Sequence, residues 1–83
     1  MELATVTLSE KELEHGKPVG IVKMSTGKHT LYENHDRGLS YYIGNKAICF
    51  MDMLDEENYE KVINEILKMQ FTNKTKAVFQ VAI

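Results

Sequence analysis

Residues 39–51 read LSYYIGNKAICFM, and this stretch decides the fold. Two β-prone runs flank Gly44-Asn45. Two residues of that type between such runs signal a hairpin, because tight β-hairpin turns need a positive φ. If Ile43 pairs with Lys46, Tyr41 faces Ile48, Tyr42 faces Ala47 and Leu39 faces Phe50. Leu39, Tyr41, Ile43, Ile48 and Phe50 then form one apolar face. Tyr42, Ala47, Cys49 and Met51 lie on the other, which is also largely apolar. A sheet with one wet face alternates more cleanly, so this pattern predicts cover on both faces.

After the hairpin, LDEENYEKVINEILKMQ (54–70) places Tyr59, Val62, Ile63, Ile66 and Gln70 along a helical stripe, with Leu67 beside it. Asp55 is a suitable N-cap. Glu56, Glu57 and Glu60 gather at the positive end of the helix dipole, with Lys68 near the negative end. The spacing predicts an amphipathic helix over 56–69 with one face on the sheet.

Before the hairpin, VGIVKM (19–24) and HTLYE (29–33) are strand-like runs joined by STGK, a second hairpin with a Gly-containing loop. ELATVTL (2–8) alternates and predicts a first strand. Ser9 and Glu12 then form an S-x-x-E capping box. Gly16 follows and Pro18 breaks the segment, so a short helical turn is expected after the first strand. KAVFQVAI (76–83) is a last strand, apolar on both faces. It is expected either to lie centrally in the sheet or to pair with another protomer, since an exposed apolar strand is an aggregation hazard. The fold class is α+β: a small, mostly antiparallel sheet of about five or six strands with two hairpins, one amphipathic helix packed on it, and a short N-terminal helical turn.

At 83 residues the chain is expected to be a single domain, 1–83, with a modest core and marginal stability. Twelve acidic and ten basic residues give a net charge of −2. That balance argues against a sequence-independent grip on nucleic acid, which needs a basic footprint, and no nucleic-acid partner is expected. No apolar run approaches a membrane span, no secretory leader opens the chain, and a membrane partner is not expected either. The lone Cys49 lies in an apolar run and reads as a small hydrophobe. The expected compartment is a reducing cytoplasm.

The polar cluster Glu33, Asn34, His35, Asp36, Arg37 precedes the first-quoted hairpin. Asn and Asp favour Asx-turns and Gly38 supplies conformational freedom, so a polar turn explains it plainly. As an enzyme site, His35 would act as base, Asp36 would orient it and Arg37 would hold an anion. Neighbouring loop residues rarely aim at one locus, so no catalytic set is assigned and no enzyme is expected. As a binding surface, Glu33, His35, Asp36 and Arg37 form a rim beside Tyr42, with Lys28 and His29 at the other hairpin. His15, His29, His35 and Cys49 lack metal-site spacing, and no metal or cofactor is expected. Lys28 follows Gly27, but the phosphate-loop pattern lacks its first glycine.

Two functional classes follow. The first is a non-enzymatic inhibitor or adaptor that occupies a protein partner's surface through an exposed acidic or Tyr-bearing patch, with the acidic helix start, Asp52 to Glu60, and the loop Glu33 to Arg37 as candidates. Small viral and mobile-element counter-defence proteins resemble it in size and plainness, which is a base-rate analogy. The alternative is a small-molecule or nucleotide-sequestering protein with a pocket between protomers, lined by Lys28, His29, His35, Arg37 and Tyr42. A homodimer or higher homo-oligomer is expected in both cases, from the two-sided last strand.

Overall fold

A computed structural model describes residues 2–9, 17–33, 38–72 and 74–83. The described chain forms six strands: β1 (Leu3–Leu8), β2 (Pro18–Met24), β3 (Gly27–Glu33), β4 (Leu39–Ile43), β5 (Lys46–Cys49) and β6 (Ala77–Ala82). One helix, α1, spans Glu56–Phe71, and a short 3-10 turn covers Phe50–Met53. The sheet is antiparallel, in the order β5-β4-β3-β2-β1-β6. The α+β class and the two hairpins are as the sequence implies. The helical turn expected over 9–16 lies outside the described residues.

The quoted hairpin has the expected register: Ile43 pairs with Lys46, Tyr41 with Ile48 and Ser40 with Cys49. Gly44 carries the turn at φ +60°, a conformation that only glycine adopts freely. The second strand of this hairpin is shorter than the sequence implies. It stops at Cys49, and Phe50–Met53 curl into the 3-10 turn. The turn buries Phe50 and Met51, and the Tyr41 hydroxyl donates to Met53 Sδ at 3.4 Å. The curl replaces ladder pairing with insertion of Phe50 into the core. The β2–β3 connection is also tighter than a four-residue loop. Met24 pairs with Gly27, leaving Ser25 and Thr26 as the turn. Glu2 holds that turn: its carboxylate accepts from the Ser25 amide, and from the Ser25 hydroxyl at 3.0 Å.

Between Pro18 and Gly20 the β2–β3 register shifts by one residue. Such a bulge turns consecutive side chains toward one side. Val19 is fully buried, while Gly20 packs its backbone against β1. A Cβ on Gly20 would stand 2.0 Å from the Thr7 carbonyl oxygen, so this position needs a glycine.

α1 starts where the sequence places it. Asp55 accepts from the Asn58 amide at 2.9 Å and caps the first turn. The helix runs to Phe71, two residues beyond the sequence expectation. It buries Val62, Ile66 and Met69, while Tyr59 stays 40% exposed. The packed stripe is thus rotated from the one drawn through Tyr59 and Gln70. Asn58 at the helix start reaches Ala82 at the end of β6, so α1 runs antiparallel to β6. The core lies between α1, the 3-10 turn and one sheet face. It contains Ala4, Val6 and Leu8 of β1, Val22 and Met24 of β2, Leu31, Leu39, Tyr41, and Ala77, Phe79 and Val81 of β6.

The last strand is not central. β6 lies at the sheet edge, with β1 as its one neighbour. Glu2 and Ile83 exchange both main-chain hydrogen bonds, at 3.2 and 2.8 Å. In an antiparallel ladder such pairs alternate. Ala77, Phe79 and Val81 therefore turn their amides and carbonyls toward β1, and Val78, Gln80 and Ala82 turn theirs outward. The outward amide of Ala82 donates to the Asn58 side chain at 3.1 Å. Among the described residues no helix is long and apolar enough to cross a membrane.

Candidate functional site

α1 and the 3-10 turn both lie against one sheet face, and the strand residues that point the other way form a broad second face. Strand periodicity sends Leu3, Thr5 and Thr7 of β1 to this side, with Ile21 and Lys23 of β2 and Lys28, Thr30 and Tyr32 of β3. Tyr42 of β4 and Val78 and Gln80 of β6 share it. Pairing sets these residues in rows. Thr30 pairs with Ile21, Ile21 with Thr7 and Thr7 with Val78, so one row crosses four strands. Lys28 pairs with Lys23, Lys23 with Thr5 and Thr5 with Gln80 in the row beside it. The Gln80 amide reaches the Thr5 hydroxyl at 3.5 Å and ties the second row together.

This face is not covered by the described residues. Leu3 is 61% exposed, Val78 60%, Tyr42 52% and Ile21 46%. The expectation of cover on both faces is therefore corrected: among the described residues, only the helix side is covered. The sequence pattern misleads because aromatic and β-branched residues suit a pleated surface whether or not it is buried.

Tyr32 and Tyr42 meet edge to face, with ring centroids 5.5 Å apart and planes at 78°. This arrangement satisfies the ring quadrupoles and holds Tyr42 in place with half its surface in solvent. No carboxylate projects from the described strands on this face; the charged side chains of those strands there are Lys23 and Lys28, both exposed and directly opposite one another. Facing like charges cost stability in a sheet. The described carboxylates lie elsewhere: five of them, Asp52, Asp55, Glu56, Glu57 and Glu60, at or before the start of α1.

The residues singled out from the sequence are divided by the fold. Lys28 and Tyr42 belong to the open face. His29 points to the opposite side, where its ring lies 4.8 Å from that of Tyr41 and its Nε2 is 2.9 Å from the Thr26 hydroxyl. Glu33 is buried on the helix side, 8% exposed. His35, Asp36 and Arg37 lie outside the described residues. Lys28 and His29 are thus adjacent in sequence but on opposite faces, and do not line one pocket within a protomer. Two depressions lie on the outer surface of α1, the more apolar one about 370 Å³ in volume and lined by Asn64, Leu67, Lys68, Phe71 and Thr72. Neither adjoins Lys28, His29 or Tyr42. Among the described residues no three His, Cys, Asp or Glu side chains come together as a metal site.

Sequence reading alone misses Ile21, Lys23, Thr30 and Val78 as members of one surface. Parity along each strand shows which residues share a side, but only the strand order brings β6 beside β1 and joins Val78 to Thr7. Comparison of this chain with protein-family models, curated proteins and solved structures finds no match.

Proposed function

We propose that this chain is a non-enzymatic binding protein, an inhibitor or adaptor, that lays the open face of its sheet on the surface of a protein partner. The observation that supports this most is the half-exposed Tyr42, braced by Tyr32 and continuous with exposed Ile21 and Val78. Tyrosine is favoured at energetic centres of interfaces because it brings large area at low entropic cost. Six strands at about 4.8 Å spacing make a face about 24 Å wide, and a six-residue strand runs about 20 Å along it, the scale of a small protein interface. A reducing compartment suits the lone Cys49, which has no partner for a disulfide within the chain.

A second copy of the chain is a further partner in this reading, along the outward main-chain groups of Val78 and Gln80 on β6. The opposite edge is better protected. β5 has four residues and begins with Lys46, whereas β6 has six, with no proline or charged residue among them. Asn58 covers the edge at Ala82, which confines strand pairing to the stretch before it.

The test of partner docking is a photo-crosslinking amino acid at position 42, compared with one at Glu60 on exposed α1, in cells that express the protein. A single stoichiometric protein adduct at position 42 and none at position 60 is the expected result. Equal yields at the two positions, or adducts at position 60 alone, would sink the assignment of the open face.

A further inference from the structure

We infer that the partner of the open face is acidic: its docking surface presents carboxylates to the Lys23–Lys28 pair while its apolar part rests on Ile21 and Tyr42. This rests on the reading of that face as a docking surface and adds the chemistry of what docks. Charge is segregated on this fold. The chain as a whole is acidic, at −2, yet the open face has two lysines and no carboxylate on its described strands. The lysines stand directly opposite each other, an arrangement that costs stability in the free protein and is relieved when carboxylates settle over it. No ion pair within the described chain engages either lysine.

Two other occupants fit less well. A second copy laid face to face on this surface would press described strands whose charged side chains there are all positive against themselves, since a twofold interface apposes the same patch from each protomer. Like charges brought together out of water repel strongly. A single-stranded nucleic acid needs a run of cations along its backbone and rings on which bases stack. Here the described strands supply two lysines, and Tyr32 turns its ring to Tyr42. The rest of the described surface is mostly aliphatic or Thr, as in Leu3, Thr5, Thr7, Ile21 and Val78, with Gln80 beside them, which suits a protein surface better than stacked bases.

The experiment is a titration of the ¹⁵N-labelled full chain, followed by amide chemical shifts, with three probes. Two are matched twelve-residue peptides, one repeating Leu-Ser-Glu and the other Leu-Ser-Lys. The third is a twelve-residue oligothymidylate. The acidic peptide is expected to shift the amides of β2, β3 and β4 and to bind at least tenfold more tightly than the basic one. Lys23→Glu together with Lys28→Glu should reverse that preference while keeping a like-charged pair, so the fold carries the same cross-strand cost. Tyr42→Ala should weaken both peptides. Equal binding of the two peptides at this face would overturn the acidic-partner inference and leave the docking face standing. Shifts confined to α1, or none, would overturn both. Tighter binding of the oligothymidylate than of the acidic peptide would replace the protein partner with nucleic acid.

Discussion

Gly20 and Asp55 show how single positions hold this fold. At Gly20 the space for a side chain is already filled by the Thr7 carbonyl, 2.0 Å from where a Cβ would lie. Gly20→Ala must push β1 and β2 apart in mid-sheet. It should cost at least about 2 kcal/mol, read as a lower urea midpoint. The sequence shows a glycine inside a strand-like run, which hints at a bulge or a close approach, but it does not say which neighbour approaches. Asp55 is the converse case, fully legible from its place before an acidic helical segment. Hydrogen bonds from the Asn58 amide and side chain hold its carboxyl below the ordinary value of 3.8. A carboxyl whose folded value is lowered binds its proton more readily in the unfolded chain. It therefore stabilises the fold above 3.8 and loses that contribution as pH falls through the lowered value. Asp55→Ala should lower the melting temperature at pH 7, and the gap from the parent protein should narrow in melts near pH 3.

Among the elements, α1 and the hairpins were legible because their signals are local: a cap, a 3.6-residue period, a Gly-Asn turn. The exact face of α1 was less so. Met69 is buried and Tyr59 is 40% exposed, because the helix packs beside β6 on the face that carries Val62, Ile66 and Met69. Ile66, 1% exposed, is the central contact. Ile66→Ala should cost about 2–5 kcal/mol, measurable by chemical denaturation. β6 is the element that the sequence left open between two places, and the fold puts it at the edge. Strand order is not a local property: Leu3 to Leu8 must find Ala77 to Ala82 across most of the chain, and no short-range signal specifies that. If a second copy pairs along this edge, the solution mass is about twice the 9.5 kDa of one chain. Val78→Lys, at a 60% exposed edge position, should then return the mass to that of one chain in light scattering while the melting temperature of the monomer barely changes.

For the whole molecule, the organising fact is that 3-10 turn and helix lie on one sheet face and leave the other bare among the described residues. The sequence held the ingredients of that bare face but not its composition as a surface. A net charge of −2 conceals a sheet side on whose described strands the charged side chains are Lys23 and Lys28, because five of the described carboxylates gather at or before the helix start and Glu33 is buried on the helix side. It also places Lys28 next to His29, although the pleat sends the two to opposite sides. Tyr42 was legible as a second-face residue from the hairpin register alone. The claim that this face is the working surface is tested most directly by side-chain footprinting of the isolated unsubstituted protein and of its non-covalent complex with the partner that crosslinking identifies. Tyrosine nitration and lysine acetylation, read by mass spectrometry, report both states. In the isolated protein Tyr42, Lys23 and Lys28 should react and Tyr41, 4% exposed, should be spared; in the complex all four should be protected. Reaction at Tyr42 and the two lysines that is equally strong in the complex would contradict the account.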